Sequence, residues 1–197
     1  MDLTPQLLLS AYCQGIFPMA HDDGQIYWHD PNPRAILPLV DFHVSRSLAR
    51  TIKKRPFTIR ANSDFERVIR ACAAPAAGRC QTWISEEIIA AYTELHRLGV
   101  AHTVEAWQNG RLVGGLYGVA VGGLFAGESM FHYERDASKV ALVHLVHRLR
   151  QGGFRLLDIQ FMTDHLAQFG AIEIPRAVYK ARLRQALQVQ GQFATTI

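Results

Sequence analysis

Polar and apolar positions change period near the middle of the chain. Up to Leu98 the repeats are mostly helical, beyond it alternation takes over, and helical spacing returns after Asp136. In residues 4–13, TPQLLLSAYC, Thr4 stands at the N-cap with Pro5 first in the helix, and Gly15 ends it. Residues 17–34 are dense in Pro, His, Asp and aromatics, which predicts an extended loop. Residues 35–40 read as an apolar strand, 45–54 as a basic helix capped by Ser45, and 57–61 as a strand. Phe65, Val68, Ile69 and Cys72 share one face of a helix over 64–73. A Gly/Ala/Pro loop follows, and Thr82-Trp83-Ile84-Ser85 leads into a helix over 86–98, stopped by Gly99.

Residues 101–108 then alternate, Asn109-Gly110 is a strong hairpin signal, and 112–121 and 124–131 continue as strands. A long helix runs from Asp136 to Arg150, followed by a strand over 155–161, a short helix over 163–169 and a final basic helix after Pro175. This order predicts an α+β fold, a mostly antiparallel sheet flanked by helices.

Composition adds bounds. The 197 residues suffice for one sizeable core, or a domain with a small appendage. Hydrophobic residues at 49% and charged ones at 19% exclude wholesale disorder. No apolar run approaches the roughly 20 residues of a membrane span, and Met1-Asp2-Leu3-Thr4-Pro5 lacks a signal-peptide layout. A cytoplasmic protein without a membrane partner is therefore expected. Cys13, Cys72 and Cys80 form no CxxC, so buried reduced thiols are expected rather than a disulfide framework or zinc site. His144 and His147 lack a third ligand nearby, so no metal is expected.

Charge is uneven within a net +4: Arg46, Arg50, Lys53, Lys54, Arg55 and Arg60 run together without an acid, and Arg176, Lys180, Arg182 and Arg184 follow near the end. Such segments suit a polyanion such as nucleic acid, or form solvated helix faces. Glu128 raises the opposite question, because it is the single carboxylate in the apolar run GGLFAGESMF. An ionised carboxylate there needs a partner. Either Lys139 or Arg155 supplies it, or a positive charge arrives with a substrate. Asp158 and Gln160, two apart on a strand, share a face and could simply satisfy buried backbone groups. Gly114-Gly115 and Gly118 allow a close approach or a bulge, without the context of a phosphate loop.

Several short motifs occur in one order along nearly the whole chain. They are Ala11-Tyr12-Cys13-Gln14-Gly15-Ile16-Phe17-Pro18, Pro31-Asn32-Pro33-Arg34-Ala35, His43-Val44-Ser45-Arg46-Ser47 and Thr82-Trp83-Ile84. Gly114-Gly115-Leu116-Tyr117-Gly118-Val119, Phe125-Ala126-Gly127-Glu128-Ser129-Met130-Phe131, Ala137-Ser138-Lys139, Asp158-Ile159-Gln160 and Glu173-Ile174-Pro175-Arg176 follow. In these the sequence resembles the leucyl/phenylalanyl-tRNA–protein transferases. The resemblance implies an enzyme that moves Leu or Phe from aminoacyl-tRNA to the N-terminal α-amino group of proteins beginning with Arg or Lys, marking them for degradation. It implies a monomer without cofactor, with a fold similar to the Gcn5-related N-acyltransferases (GNAT-like) over residues 37–197. A small N-terminal domain, 1–36, precedes it. That domain is expected in shortened form, because the chain starts at the helix that follows a Gly-Gly-Asp-Leu-like stretch in the family. Met19 stands where Trp often follows Ile-Phe-Pro, which leaves Tyr27 or Trp28 to supply an aromatic surface.

The same resemblance makes Asp158 and Gln160 the catalytic pair. Asp158 would draw the proton from the attacking amine, or only hold the ammonium or ribose, while Gln160 orients. Glu128 would meet the cationic acceptor. Trp83, Tyr92 and Phe125 would stack on the terminal adenine or line its cleft, or be plain core. Met130, Leu142 and Leu145 would line the amino-acid pocket, and Arg46, Arg50, Lys53, Lys54 and Arg55 would meet the tRNA. An acyl-CoA N-acyltransferase of the same fold is an alternative, opposed by the absence of an RxxGxG/A loop before Ser138. A non-catalytic aminoacyl-tRNA-binding module is another.

Overall fold

The computed structural model describes residues 3–75 and 82–195. Helix α1 (Pro5–Gln14) starts where the Thr4 hydroxyl accepts from the Leu7 amide and closes at Gly15, whose φ is 73°. The Pro-rich stretch that follows is a hairpin rather than a loop. Its strands β1 (Phe17–Ala20) and β2 (Ile26–His29) pair antiparallel. Next comes β3 (Arg34–Ile36), shorter than expected, and then α2 (Arg46–Lys54), β4 (Thr58–Ala61), α3 (Phe65–Ala73) and α4 (Glu86–Arg97). The meander is β5 (Ala101–Gln108), β6 (Arg111–Val121) and β7 (Leu124–His132). It leads through α5 (Ala137–Gln151) to β8 (Leu156–Gln160), α6 (Asp164–Ala167), β9 (Ile172–Ile174) and α7 (Arg176–Leu187). The strand β9 was not expected from the sequence.

The main sheet has the order β4-β5-β6-β7-β8-β3-β9. Every pair is antiparallel except β7 and β8, which lie parallel with α5 as the connection. Alternation sorts the side chains into two layers. Leu116, Phe125 and Leu157 pack with Val140, Leu145 and Leu149 of α5, while Tyr117, Val119 and Ala126 face residues of α1, α3 and α4 on the other side. Each large apolar side chain so buried contributes roughly 1.5–3 kcal/mol by leaving water. Leu8, Tyr12 and Phe17 belong to the same cluster as Val68, Ile88 and Tyr92, so the N-terminal segment shares its core with the later helices. Cys72 is buried there, but Cys13 is exposed, contrary to the expected buried thiol. Cys80 lies outside the described residues. No helix among the described residues is long and apolar enough to cross a membrane.

Two departures from regular pairing create an opening. First, β7 pairs with β8 only from Leu124 to Ala126, and beyond that the two strands part. Second, β7 stays paired with β6 as far as His132, but Tyr117 faces Ser129 while Gly118 faces Gly127. Glu128 is thus the extra residue of a β-bulge. Gly118 permits it, because a Cβ there would collide with the Ala126 carbonyl oxygen and the Phe125 ring.

Candidate active site

A cleft of about 540 Å³ occupies the gap between the parted strands. One wall is apolar. Leu116 and Met130 come from the meander, Leu142 and Leu145 lie three apart on α5, and Leu157 and Ile159 alternate along β8. The expected pocket residues Met130, Leu142 and Leu145 therefore do meet. Trp83, Tyr117, Glu128 and Gln160 line the same cleft.

Glu128 is partly buried at the bulge, where its Oε1 accepts a hydrogen bond from the Tyr12 hydroxyl at 2.7 Å. Tyr12 has only one proton, so Tyr92 donates in turn to the Tyr12 oxygen through a short bond. The Gln160 amide nitrogen stands 3.5 Å from the same carboxylate oxygen. Lys139 does not supply the missing charge, because its ammonium lies 3.9 Å from Asp136 and 3.1 Å from Gln168. Among the described residues Glu128 has no ion-pair partner within bonding distance, Arg155 included. Burial raises its carboxyl from 4.5 to about 8, opposed by the Tyr12 hydrogen bond and reinforced by the nearby charge of Asp158.

Asp158 sits differently. Its carboxylate is 1% exposed and forms a two-pronged pair with Arg34, at 2.9 Å from Nε and 2.6 Å from Nη2. The Tyr179 hydroxyl donates to it at 2.8 Å and the Gln160 backbone amide at 3.0 Å. Arg34 gives its remaining reach to the Gly15 carbonyl and lies over the rings of Phe17 and Tyr179. Removing one partner of such a buried pair typically costs about 3–5 kcal/mol. Asp158 is not among the residues lining the cleft, whereas Gln160 is. The reason is local. Gln160 adopts a left-handed backbone, φ 59°, beside a register shift against β3. The two side chains therefore do not share one environment as plain alternation predicted.

Two expected base-stacking residues have no free face. Tyr92 is wholly buried and meets Tyr117 edge-on at 5.8 Å. Phe125 is wholly buried between Phe154 and Phe193. Trp83 remains in the cleft, and Tyr27 and Trp28 are exposed on the hairpin. Arg46, Arg50, Lys53, Lys54 and Arg55 all project from α2 or its C-cap into solvent, with Leu48 anchoring the helix. No carboxylate pairs with them among the described residues. No group of three potential metal ligands occurs among the described residues either. Tyr12, Arg34, Tyr117 and Tyr179 escaped the sequence reading, although Tyr12, Arg34 and Tyr117 stand inside the motifs that carry the resemblance.

Comparison with known proteins gives consistent results. Residues 36–184 match the family described as leucyl/phenylalanyl-tRNA protein transferase, and residues 1–32 match its N-terminal domain. The leucyl/phenylalanyl-tRNA–protein transferase of Herpetosiphon aurantiacus is 60% identical over 97% of this chain and 98% of its own length. That of Rhodospirillum rubrum is 54% identical over 100% and 93%. Among solved structures, L-PGS from Bacillus licheniformis aligns with a TM-score of 0.46 and 14% identity, over 77% of this chain and 51% of that one.

Proposed function

The chain belongs to the leucyl/phenylalanyl-tRNA–protein transferase family, and from that premise we propose how the cleft between β7 and β8 performs the transfer. It is an aminoacyltransferase that carries a leucyl or phenylalanyl residue from tRNA to protein, a step in N-end-rule degradation. The acyl-CoA and binding-only alternatives fall away with that activity.

One observation carries the residue-level reading: among the described residues Glu128 has no ion-pair partner, and it stands in the cleft between an apolar wall and Trp83. The Leu or Phe side chain enters the wall of Met130, Leu142 and Leu145. Such a pocket separates side chains by size only weakly, about 1–3 kcal/mol per methylene, and Met adapts to both. Trp83 stacks on the terminal adenine, worth roughly 1–3 kcal/mol. The cations of α2 hold tRNA phosphates. The acceptor is a protein beginning with Arg or Lys, whose positive charge meets Glu128.

In the reaction the α-amine nitrogen attacks the ester carbonyl carbon. A C–N bond forms, the bond from that carbon to the ribose oxygen breaks, and the amine proton ends on the departing oxygen. The amine must be neutral to attack. Its ordinary range, about 7.7–8.0, lies beside that of Glu128, so proton exchange between them is nearly balanced. Gln160 orients the reacting groups. Asp158, closed off by Arg34, acts by positioning: it fixes the Gln160 backbone and adds its field to Glu128. The ester is already activated, so holding both partners in place does most of the work.

We read residues 37–197 as a GNAT-like domain and 1–36 as the small N-terminal domain, which contributes Tyr12 and Arg34 to the site. A cytoplasmic monomer suits this reading. The test is transfer from Leu-tRNA or Phe-tRNA to a panel of peptides differing in their first residue. Glu128→Gln is expected to lower kcat/KM for Arg and Lys acceptors by about tenfold or more, the loss of one charge-assisted contact. Unchanged use of those acceptors would reject the charge-pairing role.

A further inference from the structure

The hairpin β1–β2 carries two histidines that the transfer chemistry does not use. His29 pairs with Phe17 across the ladder, and His21 stands four positions beyond Phe17, so all three side chains share one face. The turn is closed. The His21 amide donates to the Gln25 carbonyl at 2.9 Å, and the amide of Gly24, whose φ is 77°, donates to the His21 carbonyl at 2.9 Å. That fixes where the His21 side chain leaves the backbone.

The two imidazoles meet edge to edge. Their planes differ by only 5° and their centres lie 5.5 Å apart, yet Nε2 stands 3.4 Å from Nε2. A separation that shrinks by almost the width of a ring places both Nε2 atoms on the line between the rings, facing each other. No other hydrogen bond reaches either Nε2 among the described residues. Zinc–nitrogen bonds at a tetrahedral angle set two ligand nitrogens about 3.3–3.4 Å apart, so the pair already has the spacing of two ligands on one ion. His21 is exposed and His29 half-buried. Burial, with His21 close by, holds His29 below its ordinary pKa and keeps its lone pair available. Asp23 adds a negative charge nearby, tied at 2.8 Å to the hydroxyl of Tyr27, whose ring lies 4.6 Å from that of His21. Imidazole suits zinc, nickel and copper, whereas magnesium and calcium prefer oxygen.

We propose that the Nε2 atoms of His21 and His29 form a surface site for one divalent transition cation, zinc or its neighbours, with water completing the shell. Each ring then carries its hydrogen on Nδ1, and a small turn about each Cβ–Cγ bond brings both lone pairs onto the ion. The ion joins the hairpin turn to the last residue of β2. That hairpin borders the cleft. His29 stacks on Phe17 at 5.7 Å, Phe17 meets the cleft residue Phe161 edge-on at 5.7 Å, and the Ala20 amide donates to the Trp83 carbonyl at 3.1 Å. A loaded site therefore stiffens one rim of the cleft.

Zinc titration of the full chain, read residue by residue, tests this without any substrate. Cys13 and the His144–His147 pair of α5 are competing zinc ligands, so His147→Gln serves as the control. The ring-proton NMR signals of His21 and His29 are expected to shift together, with one apparent affinity. At zinc ten times that dissociation constant, amide exchange over residues 17–29 should slow about tenfold in the wild type and in His147→Gln. In His21→Ala, a change on the exposed turn, that slowing is lost and zinc at His29 binds about tenfold or more weaker. Magnesium changes nothing in any of the three. Independent shifts of the two rings, hairpin exchange untouched by saturating zinc, or wild-type affinity at His29 in His21→Ala would overturn the proposal.

Discussion

Glu128 has opposite effects on stability and on function. Its carboxyl titrates at about 8 in the folded chain against 4.5 as a free group, because burial disfavours the charge. Between those values the native state keeps a proton that the unfolded state has lost. Stability is therefore fullest below about 4.5 with respect to this group and falls as pH rises toward about 8. Glu105 behaves the other way. Burial alone would raise it, but hydrogen bonds from Ser63, Thr103, Trp107 and the Asp64 amide hold it below its ordinary value. Its contribution is lost in acid. The difference between wild type and Glu128→Gln isolates the first effect. Urea unfolding from pH 5 to 8 is expected to show stability declining more steeply with pH in the wild type. Parallel curves would mean that Glu128 ionises freely in the fold.

At the level of elements, the bulge decides where that carboxylate goes. Regular pairing would leave residue 128 opposite a partner on β6 and shift every later side chain of β7 to the other face. Gly118 is the inner corner of the bulge, so Gly118→Ala forces a methyl group against the Ala126 carbonyl and the Phe125 ring. We expect a loss of about 1–3 kcal/mol in thermal or urea unfolding. Transfer should fall further than the unfolded fraction explains, since Glu128 is displaced. Unaltered transfer by the folded variant would remove the bulge from the site. The bulge was legible only as a permission, in Gly118, because register belongs to two strands at once. Helix starts were easier: Thr4, Ser45, Asp64 and Ser85 each accept from an amide three positions on. The hairpin β1–β2 and the short β9 were not legible. Strands of four and three residues hold too few alternations to show a period, and Pro18 argued against one.

Across the whole molecule, the site joins segments that the sequence keeps far apart. Met130, Leu142, Leu145 and Gln160, singled out by the resemblance, line one cleft in the fold. Arg34 was not assigned to Asp158, because nothing local tells an arginine which carboxylate it will meet 124 positions away. Tyr12 likewise reaches Glu128 only after α1 has docked on α4. The parted strands carry a mechanical consequence as well. The sheet is continuous on either side of the gap, and its two leaves are joined edge to edge over a short ladder from Leu124 to Ala126, with the Arg155 and Leu156 amides donating to the Gly123 carbonyl at its end. We expect that joint to act as a hinge, with whatever fills the cleft as a wedge bridging both leaves. The empty enzyme should breathe at this seam, and a non-hydrolysable leucyl-adenosine analogue should stiffen it. Amide hydrogen exchange at Gly127–His132 and Gln160 is expected to slow on binding more than at β5. Equal protection everywhere would show a sheet that moves as one plate.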